Sequence, residues 1–336
     1  MLPVVQCEMF RLIVFTLICC GGTVTARPHR PNILYVLVDD LGHGDVSWNN
    51  PNMVTPNLEK YGRRGVILDQ FYTQPKCSPS RAALLTGLYP YKTSMQRGSI
   101  GSFRPTGLPP VLPTLPQLLR EEGYSTHLVG KWHLGYCSID YTPLRRGFDS
   151  FFGCLSQQSD HYTRLHQLNP HIGSGYDLWR GGNVSHDGAG EYSTFLWEQE
   201  AVRLLSSLNS SSPWYLQLSL TAAHTPYQVP RRFAELYTER GRQYSEEEYQ
   251  QDVVRRGMVT AIDQSVGRLM TALRRSVHYD NTLVIITSDN GSGHYSGNAP
   301  LRGKKGFLFE GGVRVPAIVT GKPLRKQLDN TLGAIR

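Results

Sequence analysis

The sequence predicts an α/β fold: a largely parallel, mixed central sheet sandwiched between helices. Three observations carry that reading. Runs such as Ile33–Val38 and Thr282–Thr287 are continuous, apolar and rich in β-branched residues, as expected of strands buried on both faces. Strand-like runs alternate with helix-like ones along the chain, the order that builds parallel sheets. Polar clusters follow several of the strands, where open α/β sheets place their ligands. At 336 residues the chain can form one large domain or two smaller ones, and with 40% hydrophobic and 18% charged residues it is not globally disordered. The formal charge of +8 suits an anionic partner. No zinc-finger spacing or recognisable nucleic-acid module appears, so nucleic acid is not the expected partner.

The elements follow in order. Ile33–Val38 reads as a strand ending in Asp39-Asp40-Leu41-Gly42. Thr55 is placed to cap a helix that has Pro56 at its first position and ends near Gly65. Val66 to Tyr72 reads as a second strand, leading to Cys77. Leu115 to Glu122 reads as a short helix, and Ser125 to Val129 as a strand reaching Gly130-Lys131-Trp132-His133. Residues Tyr136 to Gly190 show little periodicity and read as loops around a site entrance. Tyr192 to Leu208 is helical by spacing, and Trp214 to Leu220 is a strand that ends at Ala223-His224-Thr225-Pro226. Glu246 to Val277 is one long helix or two, with Val253, Ile262, Val266, Leu269 and Leu273 as its apolar stripe. Thr282–Thr287 precedes Ser288-Asp289-Asn290-Gly291, and Pro316 to Thr320 reads as a last strand, expected to lack one neighbour.

The most specific stretch is Cys77-Ser78-Pro79-Ser80-Arg81, followed by Leu84-Leu85-Thr86-Gly87. Pro79 suits the first turn of a helix, so Cys77 falls at a helix N-terminus with Arg81 one turn on, on the same side. A partial positive charge and a guanidinium there would handle an anion. A lone cysteine before a core helix is ordinarily structural; this pattern closely resembles the signature of the sulfatase family. The resemblance implies an alkaline-phosphatase-like fold, and oxidation of Cys77 during secretion to formylglycine, the aldehyde that performs catalysis. A formylglycine-generating enzyme would then be a partner during maturation.

Compartment signals agree. Residues Phe10 to Cys20 are apolar apart from Arg11 and Thr16 and precede Val24-Thr25-Ala26, suited to signal-peptide cleavage after Ala26. An uncleaved anchor is the alternative, although the run is short for a stable membrane span. Residues 27–336 would then be a catalytic domain. Cleavage leaves Cys77, Cys137 and Cys154, an odd number that fits one specialised cysteine plus a Cys137–Cys154 pair. Asn183-Val184-Ser185 and Asn209-Ser210-Ser211 are glycosylation acceptors. A secretory protein, lysosomal or extracellular, is expected.

Asp39, Asp40, Asp289 and Asn290 form an all-oxygen ligand set suited to a hard divalent cation such as calcium or magnesium. Alone, Asp-Asn-Gly is more often an ordinary turn. The resemblance assigns all four, with residue 77, to the sulfatase calcium site. Lys131 and His133 would share a face if the chain stays extended, and Gly123–His133 resembles the second sulfatase signature. His224 resembles the family's substrate-contacting histidine, and spacing to Glu310-Gly311-Gly312 favours Lys305 over Lys304 as the sulfate-binding lysine. The resemblance thus implies Cys77, Arg81, Lys131, His133, His224 and Lys305 as the catalytic set. Lys131, His224 and Lys305 would touch the substrate, a sulfated glycosaminoglycan sugar, other sulfated carbohydrate or aryl sulfate.

The likeness runs from Pro31 to about Pro316 and is nearest the arylsulfatase B (N-acetylgalactosamine-4-sulfatase) subgroup. The loop after Gln96 departs from that subgroup in lacking cysteines. The family continues past the equivalent of Arg336 into further sheet elements and a smaller domain, so the C-terminal subdomain is expected to be missing. Three other readings stand beside it: a phosphatase or phosphodiesterase of the same superfamily, a non-catalytic binder of sulfated glycans, and an inactive truncated product. The first would normally carry Ser or Thr in place of Cys77.

Overall fold

The computed structural model describes residues 30–169, 173–239 and 242–324. Strand β1 (Asn32–Val38) runs parallel to β9 (Trp214–Leu220) on one side and to β10 (Thr282–Ser288) on the other. Beyond β9 lie β3 (Ser125–Gly130) and β4 (Ser150–Gly153), also parallel. Both flanks then turn antiparallel. β11 (Ala317–Thr320) and β2 (Val66–Ile67) extend one side, and β7 (Trp179–Arg180) and β8 (Asn183–Val184) the other, giving nine strands in the order β2-β11-β10-β1-β9-β3-β4-β7-β8.

Alternation along the strands divides the core into two layers, as period-two geometry requires. Leu34, Val36, Val38, Leu216, Leu218, Val284 and Ile286 face one side, where they pack with α4 (Ser193–Ser207) and α5 (Arg255–Arg275). Tyr35, Leu37, Leu128, Phe151 and Tyr215 face the other, against Ala82 and Leu85 of α2 (Cys77–Thr86) and Leu115 and Leu119 of α3 (Leu115–Glu121). Helices on both faces explain why the central strands are mostly apolar and bury even their polar residues, such as Gln217 and Ser219 of β9.

Four readings of the sequence are corrected. Only Val66–Ile67 of the expected Val66–Tyr72 strand pairs in the sheet; Tyr72 makes an isolated bridge to Arg314 as the chain swings toward α2. The segment from Tyr136 to Gly190 is not all loop: it supplies β4, β7 and β8, plus a separate hairpin of β5 (Leu165–Asn169) and β6 (Gly173–Tyr176). These strands are too short to show a period. β11 has neighbours on both sides, so it is not the open edge its position suggested. Thr55 makes no side-chain cap on α1 (Pro56–Arg63). Asp263 of α5 does that work, its carboxylate accepting from the backbone N–H of Asn57 at 3.2 Å and of Leu58 at 2.7 Å.

The segment Glu246–Val277 is one continuous helical run, passing through a π-type stretch at Tyr249–Val254 before α5. Its expected stripe residues Val253, Ile262, Val266, Leu269 and Leu273 are all buried. Among the described residues no helix is long and apolar enough to cross a membrane. The expected signal segment, residues 1–26, lies outside the described residues.

Candidate active site

The register of the parallel strands assembles the site. Val38 lies opposite Ser288 in the β1–β10 ladder, so the residues that leave the two strands, Asp39 and Asp289, emerge together. Asp289 N–H donates to the Val38 carbonyl at 3.0 Å, and the Ser288 hydroxyl accepts from Leu41 N–H at 2.8 Å, tying the exits to each other. Asp40 then takes a left-handed conformation (φ 60°), and its N–H lies 3.3 Å from Asp289 Oδ1. From β9, Ala223 N–H donates to the Asp39 carbonyl at 2.7 Å and delivers His224 to the same place.

The exit from β3 needs glycine. Gly130 has φ +100°, and a Cβ there would stand 1.9 Å from the Ser219 carbonyl oxygen. Lys131 and His133 follow, but the stretch is not extended as expected: His133 is left-handed (φ 58°). Both side chains are nevertheless buried, with their backbones held by Ser219 and Leu155.

Arg81 and Lys131 bind the carboxylates that the strand ends present. Arg81 donates to Asp289 Oδ2 through Nε at 3.0 Å and Nη2 at 2.7 Å, and through Nη1 to the Lys131 carbonyl at 3.1 Å. Lys131 Nζ donates to Asp39 Oδ2 at 2.5 Å, and Lys305 Nζ to Asp40 Oδ1 at 2.7 Å. Three carboxylates and three cations therefore neutralise one another in a cluster that is buried except at Lys305, whose side chain is 20% exposed. Lys304 turns away, its Nζ 4.8 Å from the centre of the Tyr295 ring.

Burial opposes ionisation of Asp39, but Lys131, His224 and Arg81 overcome it and hold its carboxyl well below the usual range. Asp289 goes the other way. Burial and the charge on Asp39 push it up to about 6 despite Arg81. Burial also works against the charge on Lys305, yet Asp40 keeps it firmly protonated.

Cys77 opens α2 with its Sγ 3.3 Å from Asp39 Oδ1. The expected help of the helix N-terminus does not prevail. Burial, then the charges of Asp289 and Asp39, push the thiol far up, so it donates its proton and is no thiolate nucleophile. His133 Nε2 meets the Ile100 carbonyl at 3.0 Å while its Nδ1 is buried without a partner. Burial and Lys131 hold this ring well below its ordinary value, so it is neutral, with Nδ1 the acceptor turned to the cluster. His224 Nδ1 meets the Thr225 carbonyl at 2.8 Å. Burial, Lys305 and Lys131 lower His224 to about 4.

The donor set fits a hard cation. Atoms of Asp39, Asp40, Cys77 and His224 all lie within 4.8 Å of one another. Asn290 donates through Nδ2 to Asp40 Oδ1 at 2.7 Å, and its carbonyl oxygen, the ligand atom of an amide, is buried without a partner. Asp289 stands beside this quartet rather than in it, with one oxygen taken by Arg81.

Sequence reasoning missed two supports. Arg255 of α5, buried, pairs with Asp45 at 2.6 Å and reaches Ser292 Oγ at 3.4 Å, joining the loops after β1 and β10. His161 stands behind His224, its Nε2 3.3 Å from the His224 carbonyl. Neither has a local motif; only the folded chain puts them there. One expectation fails outright. Cys137 and Cys154 are both free, because Cys154 is buried just past the end of β4 while Cys137 is exposed in the segment between β3 and β4. Asn183 and Asn209 are exposed, as glycan acceptors must be, whereas Asn290 is fully buried.

The sulfatase family model matches residues 31–334. The chain belongs to the sulfatase family. It is 37% identical over 310 residues to arylsulfatase J of Mus musculus, covering 90% of this chain and 50% of that protein. It is 33% identical to N-acetylgalactosamine-6-sulfatase of Mus musculus in a 351-position alignment covering 98% and 65%. Among solved structures, Ps i-CgsB in complex with k-i-k-neocarrahexaose superposes with a TM-score of 0.77 at 30% identity, covering 87% of this chain and 66% of that one. The chain thus spans about half to two thirds of the length of these relatives. Of these relatives, the two from Mus musculus are arylsulfatase J and a 6-sulfatase, so they do not single out the 4-sulfatase subgroup that the motifs suggested.

Proposed function

We propose that this sulfatase hydrolyses sulfate esters of glycosaminoglycan-type sugars or aryl alcohols, using formylglycine at position 77 and bound calcium. The observation that carries the reading is the buried Cys77 thiol among three carboxylates and three cations. A thiol kept protonated by its surroundings is a poor nucleophile, and a thiolate would form a sulfur–sulfur adduct with no easy exit. Formylglycine hydrate would supply two hydroxyls on one carbon, one to attack sulfur and one to drive release of sulfate. Calcium, held by Asp39, Asp40, Asn290 and residue 77 with Asp289 alongside, would supply positive charge at the sulfate oxygens.

The other residues have roles that follow from their positions. Lys131 and Lys305 bind the remaining sulfate oxygens, a charge arrangement in place before the substrate arrives. Arg81 fixes Asp289 and the Lys131 backbone, holding the start of α2 against the cation ligands. His133 Nδ1, unpartnered and neutral, accepts a proton from the residue-77 hydroxyl. His224 protonates the leaving oxygen; the negative charge of the sulfate ester bound by Lys131 and Lys305 offsets part of the effect of the two cations that depress it. Such general acid–base roles are worth about 10²–10⁴-fold each. The natural setting is the secretory pathway, lysosomal or extracellular, with the formylglycine-generating enzyme acting during maturation.

The test is peptide mass spectrometry across residue 77 on protein secreted by a eukaryotic host, with paired assays on aryl sulfate and aryl phosphate. Conversion of Cys77 with preferred sulfate turnover is expected. Unmodified cysteine, in a host that converts a control sulfatase, or preferred phosphate turnover, would refute the proposal.

A further inference from the structure

A second recess stands beside the charged cluster and has a different character. Its volume is about 430 Å³, and it lies between Gln158–Thr163, the start of β5 and the Pro226–Gln228 segment. That size falls within the usual range of small-molecule pockets, about 300–1,000 Å³. Among the described residues no lysine or arginine lines it, and Asp160 is its one charged wall residue.

The polar walls are fixed in place. Gln228 Nε2 donates to Asp160 Oδ2 at 2.6 Å, while Asp160 Oδ1 accepts from the backbone of Tyr162 at 2.9 Å and of Thr163 at 2.8 Å. Burial opposes ionisation of Asp160, but these bonds outweigh it and keep the carboxylate charged. The other end of the Gln228 amide accepts from His161 N–H at 2.9 Å, and His161 Nε2 meets the His224 carbonyl at 3.3 Å. Pro226 is also only two residues past His224, a reach of about 7 Å at most. The walls of the recess are therefore tied to the segment that carries His224, the residue assigned above to the leaving oxygen.

We propose that this recess is a saccharide subsite that accepts a neutral, hydroxyl-bearing ring next to the sulfated one and rejects a uronate or a second sulfate. It rests on the sulfatase reading above for what occupies the neighbouring cluster. Asp160 and Gln228 present acceptors and an amide to ring hydroxyls, and Leu165 and Pro226 give apolar surface for the C–H face of a sugar. An anionic ring would instead meet an ionised carboxylate with no cation in the walls.

The experiment is equilibrium binding by titration calorimetry, using the full chain and two unsulfated disaccharide probes. Both contain N-acetylgalactosamine; one carries galactose as its neighbour and the other glucuronic acid. The galactose probe is expected to bind at least about fivefold more tightly. Thr163→Arg, at an exposed position on the rim, places a cation in the recess and should invert that order. Equal affinity, a preference for the uronate, no binding of either probe at millimolar concentration, or an unchanged order in Thr163→Arg would each overturn the subsite. The preference persisting in protein that turns over no sulfate ester would refute the sulfatase reading and support the subsite. Turnover without the preference would do the reverse.

Discussion

Replacing Arg81 by Met removes the cation on which Asp289 depends. Arg81 has 2% of its side chain exposed and Asp289 none, and two bonds of 3.0 and 2.7 Å join them. Methionine fills much of the volume, so the main loss is charge compensation rather than packing. Breaking a buried pair from one side costs about 3–5 kcal/mol, because the partner charge stays behind. At roughly 2–4 °C per kcal/mol, the melting temperature should fall by about 6–20 °C. The loss should also depend on pH. Asp289 is already pushed up to about 6 with Arg81 in place, and it rises further without it. A carboxyl whose folded pKa is raised contributes stability that is fully present below its unfolded value and lost as pH rises through the folded one. The deficit of the variant should therefore be smaller at pH 5 than at pH 8. Thermal scans in chelator, so that no cation contributes, read this directly. Arg81→Met/Asp289→Asn should regain much of the loss, since the uncompensated charge has gone. A fall of under about 2 °C, a deficit independent of pH, or a double variant no better than the single one would refute the reasoning.

Three further outcomes are expected. Asp263→Ala should destabilise the fold by about 2–4 kcal/mol, measured by urea unfolding, because two backbone donors at the start of α1 lose their acceptor. Burial raises the Asp263 carboxyl, so its contribution is largest below its unfolded pKa; the advantage of wild type over Asp263→Asn should shrink as pH rises from acid to neutral. Arg255→Met should weaken calcium binding about 10–100-fold in a metal-buffer titration, because Asp45 and the Ser292 loop lose their common anchor. Glycopeptide mapping of secreted protein should find glycans at Asn183 and Asn209 and none at the Asn290-Gly291-Ser292 sequon, whose asparagine is fully buried.

The sequence by itself determined the central strands, because residues covered on both faces are mostly apolar, and β1, β9 and β10 show it. It also determined the start of α2, where the Cys77–Arg81 signature is local in the chain. The family was legible for the same reason. The short strands β4, β7 and β8 were not, since two to four residues cannot display a period and β4 takes both of its partners from more than twenty residues away. The disulfide expectation failed because counting cysteines says nothing about depth, and burial separates Cys154 from Cys137. Only the tertiary structure decided which groups meet. The β1–β10 register brings Asp40 to Asp289, 249 residues away, and the packing of α5 brings Arg255 to Asp45, 210 residues away. It also decided the state of Cys77. The helix N-terminus that the sequence places beside the sulfur favours a thiolate, but burial, with the charges of Asp289 and Asp39 behind it, outweighs it. A partial charge is a local property of one helix turn, whereas the field at the sulfur is the sum over everything the fold brings near it.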